Sequence, residues 1–329
     1  MNRMLRTVAL CAVSAFVPLH AAEADGSREL SLESITTLDA SQGQIPESVT
    51  TDRSGNLYFS SAGQSSVVER SPRGALTTIG TLPIAVNTLG VKVGPDGCVY
   101  NVSTSLTPTP GAFVWRICRQ GDVEQFATLD PTGGPNDLAF DDFGNLYVTD
   151  PFLGRIYKVD RRGHVTTWLE DARLVGNPAN PVLFFHAVGV DGIAFDRFKR
   201  NLYVDNLDFG TILRIEFREG EPGRISIFAS DPRLQGCDGM AFDDDDNLFV
   251  AINAQDTLVS VDRHGSIETL ASGGLLDGPS SIVFGATEFD RHTVYVTSSA
   301  FLRAFGFQAG TPEPAILEAR VRHGGLGLP

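Results

Sequence analysis

Pro135-Asn136-Asp137-Leu138-Ala139-Phe140-Asp141-Asp142-Phe143-Gly144-Asn145-Leu146-Tyr147-Val148-Thr149 reads as an apolar strand, an Asp/Gly turn and a second apolar strand. The two runs are rich in β-branched and aromatic residues, and Asp and Gly between them are the residues that reverse a chain tightly. The unit recurs along the chain, beginning again at Pro46-Glu47-Ser48-Val49, Thr88-Leu89-Gly90-Val91, Val190-Asp191-Gly192-Ile193, Cys237-Asp238-Gly239-Met240 and Pro279-Ser280-Ser281-Ile282. The second residues of the copies are Glu47, Leu89, Asn136, Asp191, Asp238 and Ser280, separated by 42, 47, 55, 47 and 42 positions. That is the period of a four-stranded propeller blade, and it is too long for leucine-rich or tetratricopeptide repeats. The sequence therefore predicts an all-β fold, a six-bladed β-propeller closed by a terminal strand.

Each blade should hold four strands, A to D, which in blade 3 fall at residues 135–140, 145–149, 155–159 and 164–169. Closure of the ring needs a strand borrowed from one terminus, because a closed ring leaves no open sheet edge. Residues 33–38 are expected to complete blade 6 beside residues 300–307, with residues 315–321 as the competing candidate. The A–B turns include Asp243-Asp244-Asp245-Asp246, which lacks the Gly and the distal Glu of a helix-loop-helix calcium site and reads as a solvated turn. His164, His264 and His292 fall in or beside such turns and read as surface residues.

The repeat spans nearly all of the 329 residues, so one domain is expected over 25–321, with a tail at 322–329. Residues 1–24 read as a secretory signal peptide: Arg3 and Arg6, an apolar run from Val8 to Leu19, then the small-x-small site Ala22-Glu23-Ala24. The apolar run is too short to span a bilayer. The expectation is a secreted or periplasmic protein with no membrane span. Its formal net charge of −14, or −15 without Arg3, Arg6 and Glu23, opposes binding to nucleic acid or an anionic membrane. A small-molecule substrate is the expected partner, and oligomeric state is left unassigned. Cys98 and Cys118 fall on neighbouring antiparallel strands of blade 2, where bridged and unbridged states are both open; Cys237 reads as a buried free thiol.

Side chains two apart on a strand share a direction. Position 2 of each A strand therefore faces as positions 4 and 6 do, and those are Leu138 and Phe140, Ile193 and Phe195, Met240 and Phe242. Glu47, Asn136, Asp191 and Asp238 are thus expected to converge near the ring axis. Carboxylates held close in a partly desolvated tunnel repel one another unless protons or a cation compensate. An all-oxygen ligand set points to a hard divalent ion, Ca²⁺ first, with Mg²⁺, Mn²⁺ or Zn²⁺ as alternatives. Asp238 is the favoured general base and Asp191 its rival, while His186 is a candidate proton shuttle. Long connections at residues 105–111 and 171–189 should overhang the mouth, with Leu174, Val175, Leu183, Phe184 and Phe185 on the second of them. Phe152, Leu153 and Phe209 join these from shorter loops to form an apolar rim suited to a partly hydrophobic ligand.

At Pro135-Asn136-Asp137-Leu138 with Gly144-Asn145-Leu146-Tyr147, and at Asp238-Gly239-Met240 with Asn247-Leu248-Phe249-Val250, the chain resembles the senescence marker protein (SMP-30)/gluconolactonase/LRE-like family of regucalcin-like propeller hydrolases. The resemblance runs over roughly residues 45–307. It implies a Glu from blade 1, an Asn from blade 3, an Asn from blade 4 and an Asp from blade 5 around a divalent cation. Glu47, Asn136 and Asp238 match that pattern; Asp191 departs from it by placing a carboxylate where the family usually has an amide. The implied activity is metal-dependent hydrolysis of a lactone or related ester. Lyase, cyclase or isomerase chemistry at the same ion, and a non-catalytic binding propeller, are the alternatives.

Overall fold

The computed structural model describes residues 29–84, 86–105, 111–183 and 186–328. The signal segment expected at 1–24 lies outside the described residues, as do 106–110 of the blade 2 loop and Phe184 and Phe185 of the later overhang.

Six four-stranded antiparallel sheets are formed. Their A strands are Pro46–Thr51, Asn87–Val93, Leu138–Phe140, Val190–Phe195, Cys237–Phe242 and Pro279–Phe284. Blade 3 continues through Leu146–Asp150, Arg155–Val159 and Val165–Glu170. Blade 6 contains both terminal candidates: Pro279–Phe284 and Thr293–Ser298 pair onward to Ala315–Arg320, and Glu33–Thr37 is the outermost strand. The expected strand at 300–307 is not formed. Ala300 takes a left-handed backbone conformation at φ 54°, a four-residue helix Phe301–Ala304 follows, and Gly306 turns at φ 76°. The alternating AILEAR segment supplies the strand instead.

The repeated motif has a local cause. In the A–B turn of blade 3, Asp141 Oδ1 accepts the backbone N–H groups of Phe143 and Asn145 at 2.9 and 2.8 Å, and Asn145 Nδ2 donates to Oδ2 at 2.8 Å. Asp52 with Asn56, and Asp243 with Asn247, repeat this arrangement. Gly144 holds the left-handed position at φ 77°, and Asp246 holds it in blade 5 at φ 62°. The Asp243–Asp246 run is thus an Asx-type turn whose own amides occupy its first carboxylate.

In blades 2 to 5 the aromatic residue of the second strand makes the seam to the next blade. Tyr100, Tyr147, Tyr203 and Phe249 meet Phe140, Phe195, Phe242 and Phe284 edge-on, at centroid distances of 5.1, 5.7, 4.9 and 5.1 Å. Such pairs add about 0.5–1.5 kcal/mol each beyond the area they bury. Cys98 and Cys118 are disulfide-bonded across blade 2, and Cys237 is free and buried. Among the described residues, no helix is long and apolar enough to cross a membrane.

Candidate metal centre and its cavity

Position 2 of the A strand is where the A–B ladder slips. Register shifts fall between Pro46 and Val49, Thr88 and Val91, Val190 and Ile193, and Cys237 and Met240. A bulge re-aims the residue it carries, and here it turns Glu47, Leu89, Asp191 and Asp238 into one cavity with Asn136 and Ser280. The residue after the bulge must let the neighbouring blade approach: a Cβ on Gly192 would lie 2.2 Å from the Asp238 carbonyl oxygen, and one on Gly239 2.7 Å from that of Ser280. That contact explains the Asp-Gly pairs at 191–192 and 238–239.

The four candidate ligands therefore share a single cavity of about 140 Å³. Glu47, Asp191 and Asp238 are buried, Asn136 is half-buried, and Asn136 is a side-chain hydrogen-bond partner of Asp191. Asn253 Nδ2 lies 3.4 Å from Asp238 Oδ2. His186 stands apart. It is exposed, its Nδ1 donates to the Ala187 carbonyl at 2.6 Å, and its ring stacks at 4.1 Å on Phe152, which does line the cavity.

Two further carboxylates belong to the group. Asp137 Oδ1 accepts from its neighbour Leu138 N at 2.8 Å, and its Oδ2 faces Ile193 N at 3.3 Å. Asp205, on strand Asn201–Asn206, accepts Gly192 N on Oδ1 at 3.0 Å. Ser60 and Thr149 do the same for Ser48 N and Asp137 N with hydroxyls. Aligning NLYFSS, NLYVTD and NLYVDN exposes Asp205 as the charged member of an otherwise hydroxylic position, the one sequence signal for it.

Burial is the main cause that pushes Glu47, Asp191, Asp205 and Asp238 well above the ordinary carboxylate range. Mutual repulsion adds to it: Asp137 acts on Glu47, Asp205 and Glu47 on Asp191, and Asp191 and Glu47 on Asp238. Glu47 Oε2, Asp191 Oδ1 and Asp205 Oδ2 are buried with no hydrogen-bond partner. No Lys, Arg or His is among the described residues lining the cavity. Glu47, Asp191 and Asp238 face one cavity, although their carboxylate oxygens do not all lie within 4.8 Å of one another. Acceptors without donors are the environment a hard cation compensates, so the donor chemistry of these residues fits such an ion.

The walls above the acidic floor are apolar, including Phe152, Leu183, Val188, Leu207 and Phe301. Of the expected rim, Phe152 and Leu183 line the cavity. Leu174 is instead wholly buried in the core with Trp168 and Leu213, while Val175 and Phe209 are exposed. Phe301 was hidden from the sequence by the misplaced strand. The overhang carrying Leu183 and Val188 is held by Asp208, whose carboxylate accepts Asn177 N, Val182 N and Val188 N, each at 2.8 Å.

Comparison with known proteins agrees with this architecture. A family model described as the SMP-30/gluconolactonase/LRE-like region matches residues 95–300, and a strictosidine synthase-like N-terminal model matches residues 31–63. No curated protein sequence matches the chain. Among solved structures, a gluconolactonase from Xanthomonas campestris superposes with a TM-score of 0.64 at 15% identity, covering 90% of this chain and 91% of that one. The calcium-binding protein regucalcin from Agrobacterium tumefaciens gives 0.62 at 18% identity, with 89% and 97% covered. Virginiamycin B lyase from Staphylococcus aureus gives 0.58 at 17% identity, with 82% and 85% covered. At these identities the likeness is one of fold.

Proposed function

The chain belongs to the SMP-30/gluconolactonase/LRE-like family, and on that footing we propose that it is an exported, divalent-cation-dependent hydrolase of a lactone or related ester with a partly hydrophobic substrate. Glu47, Asn136, Asp191 and Asp238 hold the ion, Ca²⁺ first in order of preference. The observation that carries the reading is the pair of buried, partnerless carboxylate oxygens, Glu47 Oε2 and Asp191 Oδ1, on residues lining an apolar-walled cavity that Asp238 also lines. When bound, a divalent cation there offers a Lewis acid to an ester carbonyl and lowers the pKa of water.

The protein's own groups supply the rest. Asp238 accepts the proton of the attacking water on a carboxylate oxygen, and Asn253 orients that carboxylate from 3.4 Å. Asn136 offers an amide to the substrate or to Asp191. Phe152, Leu183 and Phe301 bind the hydrophobic portion and exclude bulk water. His186 lies outside the cavity lining, which leaves proton acceptance with the carboxylates. Export is supported by the N-terminal segment and by the Cys98–Cys118 bond, which suits an oxidising compartment.

The test is a panel of lactones and aryl esters assayed with Ca²⁺ and after chelation, on the wild type and on Asp238→Asn and Asp191→Asn. The expected result is turnover that chelation abolishes, with the deeper loss of kcat in Asp238→Asn. Activity untouched by EDTA and dialysis overturns the reading. Products formed in ¹⁸O-labelled water separate hydrolysis, which incorporates label, from a lyase or isomerase reaction, which does not.

A further inference from the structure

A second depression adjoins the acidic cavity and shares its walls. Leu183 lines the cavity and Val182 the depression; Asn253 and Ala254 divide in the same way, as do Phe301 and Leu302. Three separate mouth connections, those before blade 4 and between strands B and C of blades 5 and 6, thus present adjacent residues to the two compartments. Their sizes differ: about 140 Å³ inside, on the scale of a cavity that accepts one benzene-sized group, against about 560 Å³ outside. Their chemistry differs too. The outer groove is lined by amides such as Gln235 and Gln308 and by Pro181, Val182, Leu302 and Phe307, with no charged side chain among its described lining residues.

We propose that this groove is a second substrate subsite, which takes an uncharged alkyl or amide-bearing chain attached to the lactone or ester whose carbonyl occupies the inner cavity. The proposal rests on the hydrolytic reading of the inner cavity given above. The groove is pre-built, which lowers the cost of ordering a bound chain. On one side the three backbone bonds to Asp208 fasten the overhang. On the other, Arg303 pairs with Asp277 and Asp256 and fastens the blade 6 connection. Across the base, Gln255 Nε2 donates to the carbonyls of Pro232 and Gln235 at 3.0 and 2.6 Å. Val182, Leu302 and Phe307 offer such a chain apolar contact, and Gln235 and Gln308 offer amides. The groove's described lining residues offer a phosphate or carboxylate no cationic side chain.

The experiment uses γ-lactones with side chains of increasing length in the presence of Ca²⁺, and in parallel the matching γ-lactams, which resist hydrolysis and report binding by calorimetry. In the wild type, kcat/KM for the lactones and affinity for the lactams should each rise about tenfold or more from the shortest to the longest chain, since each buried methylene contributes up to about fourfold. Val182→Trp, which fills the groove, should flatten both series. Leu302→Trp, on a different connection lining the same groove, should do the same and guards against a disturbed overhang in the first variant. A chain-length gain that survives both substitutions in folded protein, or no gain in the wild type, overturns the subsite. Lactams that bind with chain-length dependence while no lactone is hydrolysed would keep the groove and remove the hydrolase.

Discussion

Asp191→Asn should make the cation-free protein more stable while weakening its hold on the cation. Asp191 is 1% exposed, its Oδ1 has no partner, and it is repelled by Asp205, Glu47 and Asp137. Two unit charges about 5 Å apart at an effective dielectric constant of about 20 repel by about 3 kcal/mol. Relief of one such pair is worth about 2–3 kcal/mol, or about 3–5 °C in melting midpoint for a chain of this size. The sign follows from linkage. A carboxyl whose folded pKa is raised contributes stability that is fully present below its unfolded value, about 3.9, and is lost as pH rises towards the folded value. In EDTA the wild-type and variant midpoints should therefore converge near pH 4 and separate as pH rises to 8, the variant higher. With Ca²⁺ in excess the order reverses, because ligation at 100 times Kd adds about 2.7 kcal/mol to the form that binds. Differential scanning calorimetry across pH, with and without Ca²⁺, reads both effects. A variant destabilised equally at every pH in EDTA would refute the repulsion argument.

Asp208→Ala leaves three backbone N–H groups of the overhang without their acceptor; limited proteolysis should become faster within residues 177–188, and KM should rise about tenfold with a smaller change in kcat, each charge-assisted bond being worth about 1.5–3 kcal/mol. Asp205→Thr keeps an acceptor for Gly192 N, as Thr149 does for Asp137 N, but removes a charge; calorimetric titration should show Ca²⁺ affinity lowered about tenfold with the melting midpoint in EDTA raised. Gly192→Ala drives a Cβ to 2.2 Å from the Asp238 carbonyl oxygen, a backbone atom that a rotamer change cannot clear. A loss of about 2–3 kcal/mol on denaturant unfolding is expected, together with weaker Ca²⁺ binding, because the displaced residue carries a ligand.

The ring was legible because its period is written in residues with a local job. Asp141 and Asn145 close a turn, and Tyr147 meets Phe195 at the next seam, so most blades repeat the same letters. Position 2 was legible because it recurs at one place in each copy, although the bulge that carries it ahead of Ile193 or Met240, rather than strand phase, aims it into the cavity. What escaped lacks periodicity. Asp205 acts by accepting a bulge amide across the sheet, and strand pattern alone cannot distinguish that from a polar strand end. Phe301, Phe305 and Phe307 share one parity and mimic a strand, but the left-handed Ala300 and the turn at Gly306 leave only one helical turn between them. The backbone there is decided by tertiary bonds: Ala300 N donates to the Asp277 carbonyl at 2.7 Å, and Ser299 Oγ donates to that of Gly278 at 2.7 Å.

The same bulges that aim the carboxylates inward also explain how a ring can tolerate them. Repulsion on the axis pushes blades apart, yet the main chain of each ligand-bearing residue is engaged by a neighbouring blade. Glu47 O accepts Ser280 Oγ at 2.6 Å and Thr297 Oγ1 at 3.0 Å from blade 6. Asn136 O accepts Gly90 N at 2.7 Å from blade 2. Asp191 O accepts Thr149 Oγ1 at 2.5 Å from blade 3, and Asp238 O packs against Gly192 of blade 4. Buried hydrogen bonds of this kind each contribute about 0.5–1.5 kcal/mol net, and more is lost when one partner is removed. They act across the seams that the charges strain. Acidity at the centre is therefore sustained by main-chain contacts that do not depend on side-chain charge, and position 2 is free to vary from Leu89 to Ser280 to Asp191 without loss of the fold. That freedom lets one half of the ring be acidic while blade 2 presents an apolar wall to the same cavity.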